Sequence, residues 1–425
     1  MSRVRAIKGM NDIRPRATEA FLDSALWEYL QTTAAAVLAE FGYRRVWLPV
    51  VEETALFARG IGEDTDIVSK EMYSFTDRGG RALTLRPEGT AGAVRAYVQH
   101  SLDRTERIQK WWYMGPMFRA ERPQKGRYRQ FYQIGAEYFG VASPAADAEM
   151  LHLLWVLCHR LGLHGVQVRL NTLGDDATRQ AYRDALQEVL RARSDSLCPD
   201  CQRRVETNPL RVLDCKRPGC REASSAAPDI LEVISAPAQA HFERVLALLD
   251  ELGVDHVRDP HLVRGLDYYT GTIFELTTTA LGSQDAILGG GRYDKLVAEL
   301  GGSPTPAIGF AAGLERLAML VEAPQDAQAP QLYIIPMGEL EGQALRLAAE
   351  VRALGWRVDV DVAGGRLKQQ MRRADRSGAR WALVVGEQEL AQGRAQLKNL
   401  RDAAAATELE LTPAALDKIM ASTFC

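Results

Sequence analysis

The chain lacks the commonest sequence device for gripping nucleotide phosphates. No G-x-x-x-x-G-K-[ST] pattern occurs in its 425 residues, and Gly289-Gly290-Gly291-Arg292-Tyr293-Asp294 is glycine-rich without G-x-G-x-x-G spacing. No apolar run is long enough to span a bilayer, so no membrane association is expected. The opening Met1-Ser2-Arg3-Val4-Arg5-Ala6-Ile7-Lys8-Gly9 has neither the apolar stretch nor the small-residue cleavage site of a secretory signal, which makes the cytoplasm the expected compartment. Repeats and low-complexity tracts are absent. Cysteine is scarce, with six residues at 158, 198, 201, 215, 220 and 425, and a disulfide framework is not expected in a cytosolic chain of this size. Neither sign of charge dominates. The formal net charge of −3 argues against indiscriminate coating of nucleic acid, but a local basic patch is compatible with it.

What is there is globular: 46% hydrophobic and 25% charged, with a length that suits about three domains. The clearest boundary is the proline-bearing stretch 321–330, which reads as a linker. Beyond it, Leu332–Pro336, Trp356–Val362 and Trp381–Gly386 read as strands. Helices over Leu340–Leu354 and Leu367–Ala374 alternate with them, so 331–425 is expected to be an α/β domain with a parallel sheet. Before the linker, Ile108–Met114, Arg129–Phe139 and Thr272–Thr278 are β-type runs separated by polar turns. Helical periodicity runs over Thr18–Glu40 and Ala145–Leu161. The expected fold of 1–320 is therefore α+β, a largely antiparallel sheet flanked by helices. Residues 171–258, rich in helix formers, separate two β-rich portions and read as a helical insertion.

Without a phosphate-cradling loop, any nucleotide must be held by side chains, and arginine suits that task because its planar fork donates bidentately and stays charged. From Arg119 to Arg129 five of eleven residues are basic and only Glu121 is acidic. Taken alone, this hairpin loop reads equally well as a solvated basic loop. Its flanks, Trp111-Trp112-Tyr113 and Phe131-Tyr132, supply flat apolar surfaces suited to a nucleobase. Gln133 and Glu137, four apart on one strand, point to the same face. Two further clusters are Arg264-Gly265-Leu266-Asp267-Tyr268-Tyr269 and Gly309 through Arg316.

Together these segments resemble the class II aminoacyl-tRNA synthetases, and within them the histidyl-tRNA synthetase family. Phe118-Arg119-Ala120-Glu121 through Glu137 resembles the second class motif, Gly309 through Arg316 the third, and Arg45 through Glu52, with Pro49, a degenerate first. Leu262–Tyr269 and Leu288–Asp294 resemble the two histidine-specific signatures, and Thr84-Leu85-Arg86-Pro87-Glu88-Gly89-Thr90-Ala91 is a further block of that family. The resemblance implies activation of L-histidine with ATP and its transfer to tRNA(His), with Mg2+ accompanying ATP. It implies a homodimer joined at the first motif, and identifies 331–425 as an anticodon-binding domain. By position, Arg119 and Arg264 are expected around the α-phosphate and carboxylate, and Glu121 and Arg316 with ATP. Glu88, Gly89, Thr90 and Gln133 are expected around the α-amino group, Tyr268 at the pocket wall, and Glu137 and Tyr269 on the imidazole. Lys125, Arg127 and Arg129 are candidates for RNA phosphates. One departure stands near the end, where Lys398–Thr407 replaces a short Gly-Glu-Gln-like turn. The rival readings are a histidine-sensing regulatory paralogue without ligase activity, a class II synthetase for another amino acid, and a plain RNA-binding module. Retention of Arg119, Arg264, Arg316 and residues 331–425 speaks against the first.

Cys198-x2-Cys201 and Cys215-x4-Cys220 leave two readings open: free thiols in a helical insert, or four ligands of a structural zinc. Spacing alone favours the thiols, and no metal ligand is assigned from sequence.

Overall fold

The computed structural model describes residues 4–424 apart from 63, 64, 66, 125, 279, 281–285, 323–327 and 403–405. The chain forms two compact units, Met1–Glu322 and Ala323–Cys425. Lys125 and the middle of the expected linker lie outside the described residues.

The first unit is built on eight strands: β1 (Arg44–Arg45), β2 (Gln109–Phe118), β3 (Gln130–Phe139), β4 (Gln167–Thr172), β5 (His256–Arg258), β6 (Thr270–Thr277), β7 (Ala286–Arg292) and β8 (Ala307–Gly313). Their order is β1-β2-β3-β8-β7-β6-β4-β5. The central ladders are antiparallel, and only the edge pairs β1–β2 and β4–β5 are parallel. A second sheet of Val51–Glu53, Tyr73–Thr76 and Ala82–Leu85 carries the chain into the helix Thr90–Gln99.

The helix expected from Thr18 begins at Ser24. Asp23 caps it, its carboxylate accepting from the Ala25 amide at 2.9 Å, and Ala20–Leu22 form a separate short turn. Leu26, Trp27, Leu30, Val37 and Leu38 make its buried stripe. The helix Pro144–Arg160 starts with Ser143 as its cap and proline in the first turn, where a missing N–H costs nothing. Its Asp147, fully buried, pairs with Arg292 of β7 at 2.5 Å and with His241 of the helix Ala236–Glu251 at 2.9 Å. Arg292, although in a signature segment, therefore anchors helices and does not line the cavity described below.

The segment between β4 and β5 is helical, from Asp176–Arg191 to Ala236–Glu251. Asn171, Thr172 and His256–Arg258, inside the expected insertion 171–258, belong to β4 and β5 of the main sheet. Tyr182, Leu186, Leu190, Val205, Val212, Cys201 and Cys220 form a small core of their own.

In the second unit β9 (Leu332–Pro336) pairs in parallel with β10 (Val358–Val360) and β11 (Trp381–Val385), as the alternating pattern predicts. Two strands were not foreseen. β12 (Arg394–Asn399) and β13 (Thr407–Glu410) extend the sheet in antiparallel fashion. β12 reads Arg-Ala-Gln-Leu-Lys-Asn, with only Ala395, Leu397 and Asn399 turned inward. That half-polar alternation marks a strand with one solvated face, a weaker signal than the continuous apolar runs of β9 and β11. Lys398 and Asn399 of the departing segment close β12, and Thr407 opens β13; 403–405 lie outside the described residues. Among the described residues no helix is long and apolar enough to cross a membrane.

Candidate active site

A cavity of about 310 Å3 lies on the face of β3, β8 and β7. Glycines let it form. Glu137 of β3 stands opposite Gly309 of β8, and a Cβ at Gly309 would lie 1.8 Å from the Glu137 carboxylate. Gly289 of β7 leaves room for Arg264, whose Nη1 would lie 2.5 Å from an added Cβ. The triple glycine is thus a central strand over which a guanidinium lies flat, and the turn that its composition suggests is not there.

The three singled-out arginines, 145 and 52 residues apart along the chain, converge on this cavity. Arg119 leaves the end of β2, donates from Nε to the Pro87 carbonyl at 3.0 Å, and sits 5.2 Å from the Phe131 ring centre. Arg316, on the helix Leu314–Ala318 that follows β8, donates to the Ala286 carbonyl at 2.6 Å. Burial lowers the pKa of both guanidinium groups, and the nearby Arg127 cation lowers that of Arg316 further. Each loses the competition with water that a bound polyanion would reverse. Arg264 pairs with Glu275 of β6 and lies 5.7 Å from the Tyr269 ring, while its buried Nε has no hydrogen-bond partner among the described residues.

Opposite them are polar groups suited to an amino acid. Both oxygens of Glu88 accept backbone donors at the start of a helix, Thr90 N at 2.6 Å and Ala91 N at 2.9 Å. Gly89 packs against the Tyr113 ring so closely that an added Cβ would lie 2.2 Å from it. Gln133 lines the cavity, and its Oε1 is buried without a partner among the described residues. Tyr268 and Tyr269 line it too, with ring centres 4.7 Å apart.

Glu137 differs from expectation. It is fully buried and is not part of the cavity wall. Its Oε1 accepts from Thr90 Oγ1 and Tyr113 Oη, both at 2.8 Å, and its Oε2 from Tyr293 Oη. Burial pushes its pKa up to about 8 despite these three donors. The carboxyl stands one layer behind the wall, held by Thr90 and Tyr293, which do line the cavity.

The hairpin after β2 divides. Glu121 and Arg127 line the cavity and approach each other at 3.5 Å. Arg129 is instead tied back, its amide donating to the Gly9 carbonyl at 2.7 Å and its Nε to the Glu121 carbonyl at 3.4 Å. Sequence reasoning missed Glu71, Glu275, Glu315 and Tyr293, and it took Tyr113 for a nucleobase surface, whereas the ring is buried and its hydroxyl donates to Glu137. Glu315 receives the Tyr132 amide on both oxygens at 3.1 Å, and burial raises its pKa to about 7. Tyr293 lies inside the signature segment and could have been drawn from it. Nothing local marks Glu275, which meets Arg264 only through the β6–β7 register.

An antiparallel sheet with arginines from a hairpin, a loop and a helix gathered over one face, a helix entered directly from its strand β8, and no phosphate loop together define the catalytic architecture of class II aminoacyl-tRNA synthetases. The comparisons refine this. Residues 22–317 match the family described as histidyl-tRNA synthetase, and 331–416 match the anticodon binding domain. The histidine–tRNA ligase of Anaeromyxobacter dehalogenans is 50% identical over 99% of each chain, and that of Geobacter metallireducens 46% identical over 97% of this chain and 98% of its own. The solved apo histidyl-tRNA synthetase of S. aureus is 34% identical, covers 99% of both chains and superposes with a TM-score of 0.79. The chain belongs to the histidyl-tRNA synthetase family.

Proposed function

We infer that the basic cavity is where this chain, a histidine–tRNA ligase, joins histidine to ATP. The carrying observation is the convergence of Arg119, Arg264 and Arg316 on the same 310 Å3 space as Glu88, Thr90 and Gln133. A histidine carboxylate oxygen attacks the α-phosphorus, the bond to the β-phosphate oxygen breaks, and pyrophosphate leaves. A ribose hydroxyl at the 3′ end of tRNA(His) then attacks the acyl carbon of the adenylate, loses its proton and releases AMP. The protein needs no nucleophile of its own, so fixed cations do most of the work.

Arg119 holds the α-phosphate and the substrate carboxylate, and Arg316 the terminal phosphate. Arg264, with its unpartnered Nε, meets the charge that grows as pyrophosphate departs. The substrate ammonium satisfies the orphaned Oε1 of Gln133 and the Glu88 carboxylate, beside Gly89 and Thr90. Tyr269 donates to one imidazole nitrogen, and Glu137 accepts from the other once the ring displaces one of its hydroxyl donors. Losing these partners is what a non-imidazole side chain would suffer. Among the described residues no preformed carboxylate cluster exists for a hard cation. That fits Mg2+ entering on the phosphates, with Glu121 and Glu275 as the carboxylates nearest to hand, and supplying charge neutralisation of the triphosphate.

Arg127, with Lys125, suits the RNA acceptor phosphates, while Arg129, tied to Gly9, serves the hairpin's shape. Homodimerisation is supported by exposed apolar residues around the first motif: Trp47 is 76% exposed, and Phe75 and Val51 are also open to solvent. A cytoplasmic location is compatible with these substrates. Amino-acid-dependent ATP–pyrophosphate exchange across the twenty amino acids tests the reading. Exchange with histidine alone is expected, and a folded chain that binds histidine but exchanges with none would instead be a regulatory paralogue.

A further inference from the structure

Within the helical insertion the four thiols of Cys198, Cys201, Cys215 and Cys220 all lie within 4.8 Å of one another, and no disulfide joins them. They come from three separate stretches of backbone. Cys198 precedes the helix Pro199–Thr207, Cys201 lies in its first turn, Cys215 follows Leu210–Leu213, and Cys220 lies in Pro218–Ser224. Tetrahedral zinc with Zn–S bonds near 2.3 Å needs sulfur–sulfur edges of about 3.8 Å, so the set requires a contraction of about 1 Å at most.

The surroundings are built for thiolates. The Cys198 amide donates to the Cys220 sulfur at 3.2 Å. Gly219, next to Cys220, lies where an added Cβ would come within 2.7 Å of the Ser196 carbonyl, so the two cysteine-bearing turns meet closely. Lys216, Arg217 and Arg221 flank the second pair in sequence and would offset the net negative charge of a four-thiolate centre. Cys201 and Cys220 are buried, and among the described residues no carboxylate or histidine joins the set. This is the pattern of a closed structural site, not a catalytic one.

We propose that these four cysteines bind one Zn2+, which pins the insertion against the catalytic loop. Asn208 and Arg211 lie between the two cysteine pairs, and both donate to Asp267, at 3.1 and 3.0 Å. Asp267 belongs to the same Arg264–Tyr269 loop that lines the cavity. The insertion's own core is small, and small cores are those that metal staples complete.

The full-length chain, expressed with zinc in the medium and purified without chelator, is expected to carry one zinc per chain by elemental analysis. Cys201→Ser should lose it and Cys158→Ser should keep it. Since Cys201→Ser could fail through misfolding, the wild-type chain supplies a second readout. Exchange of its metal for Co2+ should give the intense thiolate charge-transfer and tetrahedral d–d absorption of a four-sulfur site. The proposal is overturned by a metal-free chain that gives no such bands on reconstitution, by zinc that survives Cys201→Ser, by iron in place of zinc, or by disulfides among the four in the native protein.

Discussion

Arg264 and Glu137 show how differently two ionisable groups can be held in one site. Arg264 keeps a carboxylate partner, Glu275, and an unsatisfied Nε. Its replacement by alanine should lower histidine-dependent pyrophosphate exchange about 10²- to 10³-fold, the usual cost of one preorganised donor. Histidine binding measured calorimetrically should persist. Normal exchange in that variant would remove Arg264 from the chemistry. Glu137 is held without a cation. Its native pKa of about 8 stands above an ordinary value of 4.5, so between those pH values the folded state binds more protons than the unfolded one. Native stability supplied by the neutral carboxyl is then full below the lower value and is lost as pH rises towards the higher. Glu137→Gln should abolish activation, and its melting temperature relative to wild type should climb from pH 5 to pH 8. A pH-independent difference would show that the carboxyl does not titrate in this range. Gly309→Ala places a methyl on that carboxylate and should cost stability and activity together, with overpacking of about 1–3 kcal/mol read from denaturant unfolding.

At the scale of elements, the insertion touches the catalytic loop through one carboxylate. Asp267 receives Asn208 and Arg211, and its backbone amide donates to the Ile61 carbonyl at 3.4 Å. Arg211→Ala should therefore raise the histidine KM in exchange assays more than it lowers kcat, because the loop carrying Tyr268 and Tyr269 loses an external brace while Arg264 remains. A change in kcat alone would place the effect elsewhere. Elements were also the level at which sequence reading was most uneven. The long helices were legible from periodicity and the strands β9 and β11 from their continuous apolar runs, and the hairpin between β2 and β3 was legible too. The strands β12 and β13 were not, because their alternation is half polar and short.

For the whole molecule, all residues lining the cavity fall between Glu71 and Arg316, inside the first unit. A chain ending at Glu322 should keep exchange with histidine while losing charging of tRNA(His), which needs the anticodon-type second unit. Loss of exchange in a folded truncation would tie activation to that unit. Self-association belongs to the same scale. Trp47→Glu should shift the sedimentation coefficient from dimer to monomer if the exposed first-motif surface is the interface.

Residue types and spacing alone determined the class of chemistry. With no phosphate loop, arginine was the remaining means of holding a nucleotide, and the signature segments resembled one family closely enough to name its substrate. Helix identity followed where burial is one-sided, because that leaves a period in the sequence, and strand identity where both faces are buried, because that leaves a continuous apolar run. Register and depth were decided only in three dimensions. The β3–β8 pairing sets Gly309 against Glu137 and buries the carboxylate behind hydroxyls, when its spacing suggested an open contact. The β6–β7 pairing brings Glu275 to Arg264, and the insertion's turns gather four cysteines whose spacing alone favoured free thiols. Such proximities depend on how strands pair and turns fold back, and no local pattern records them.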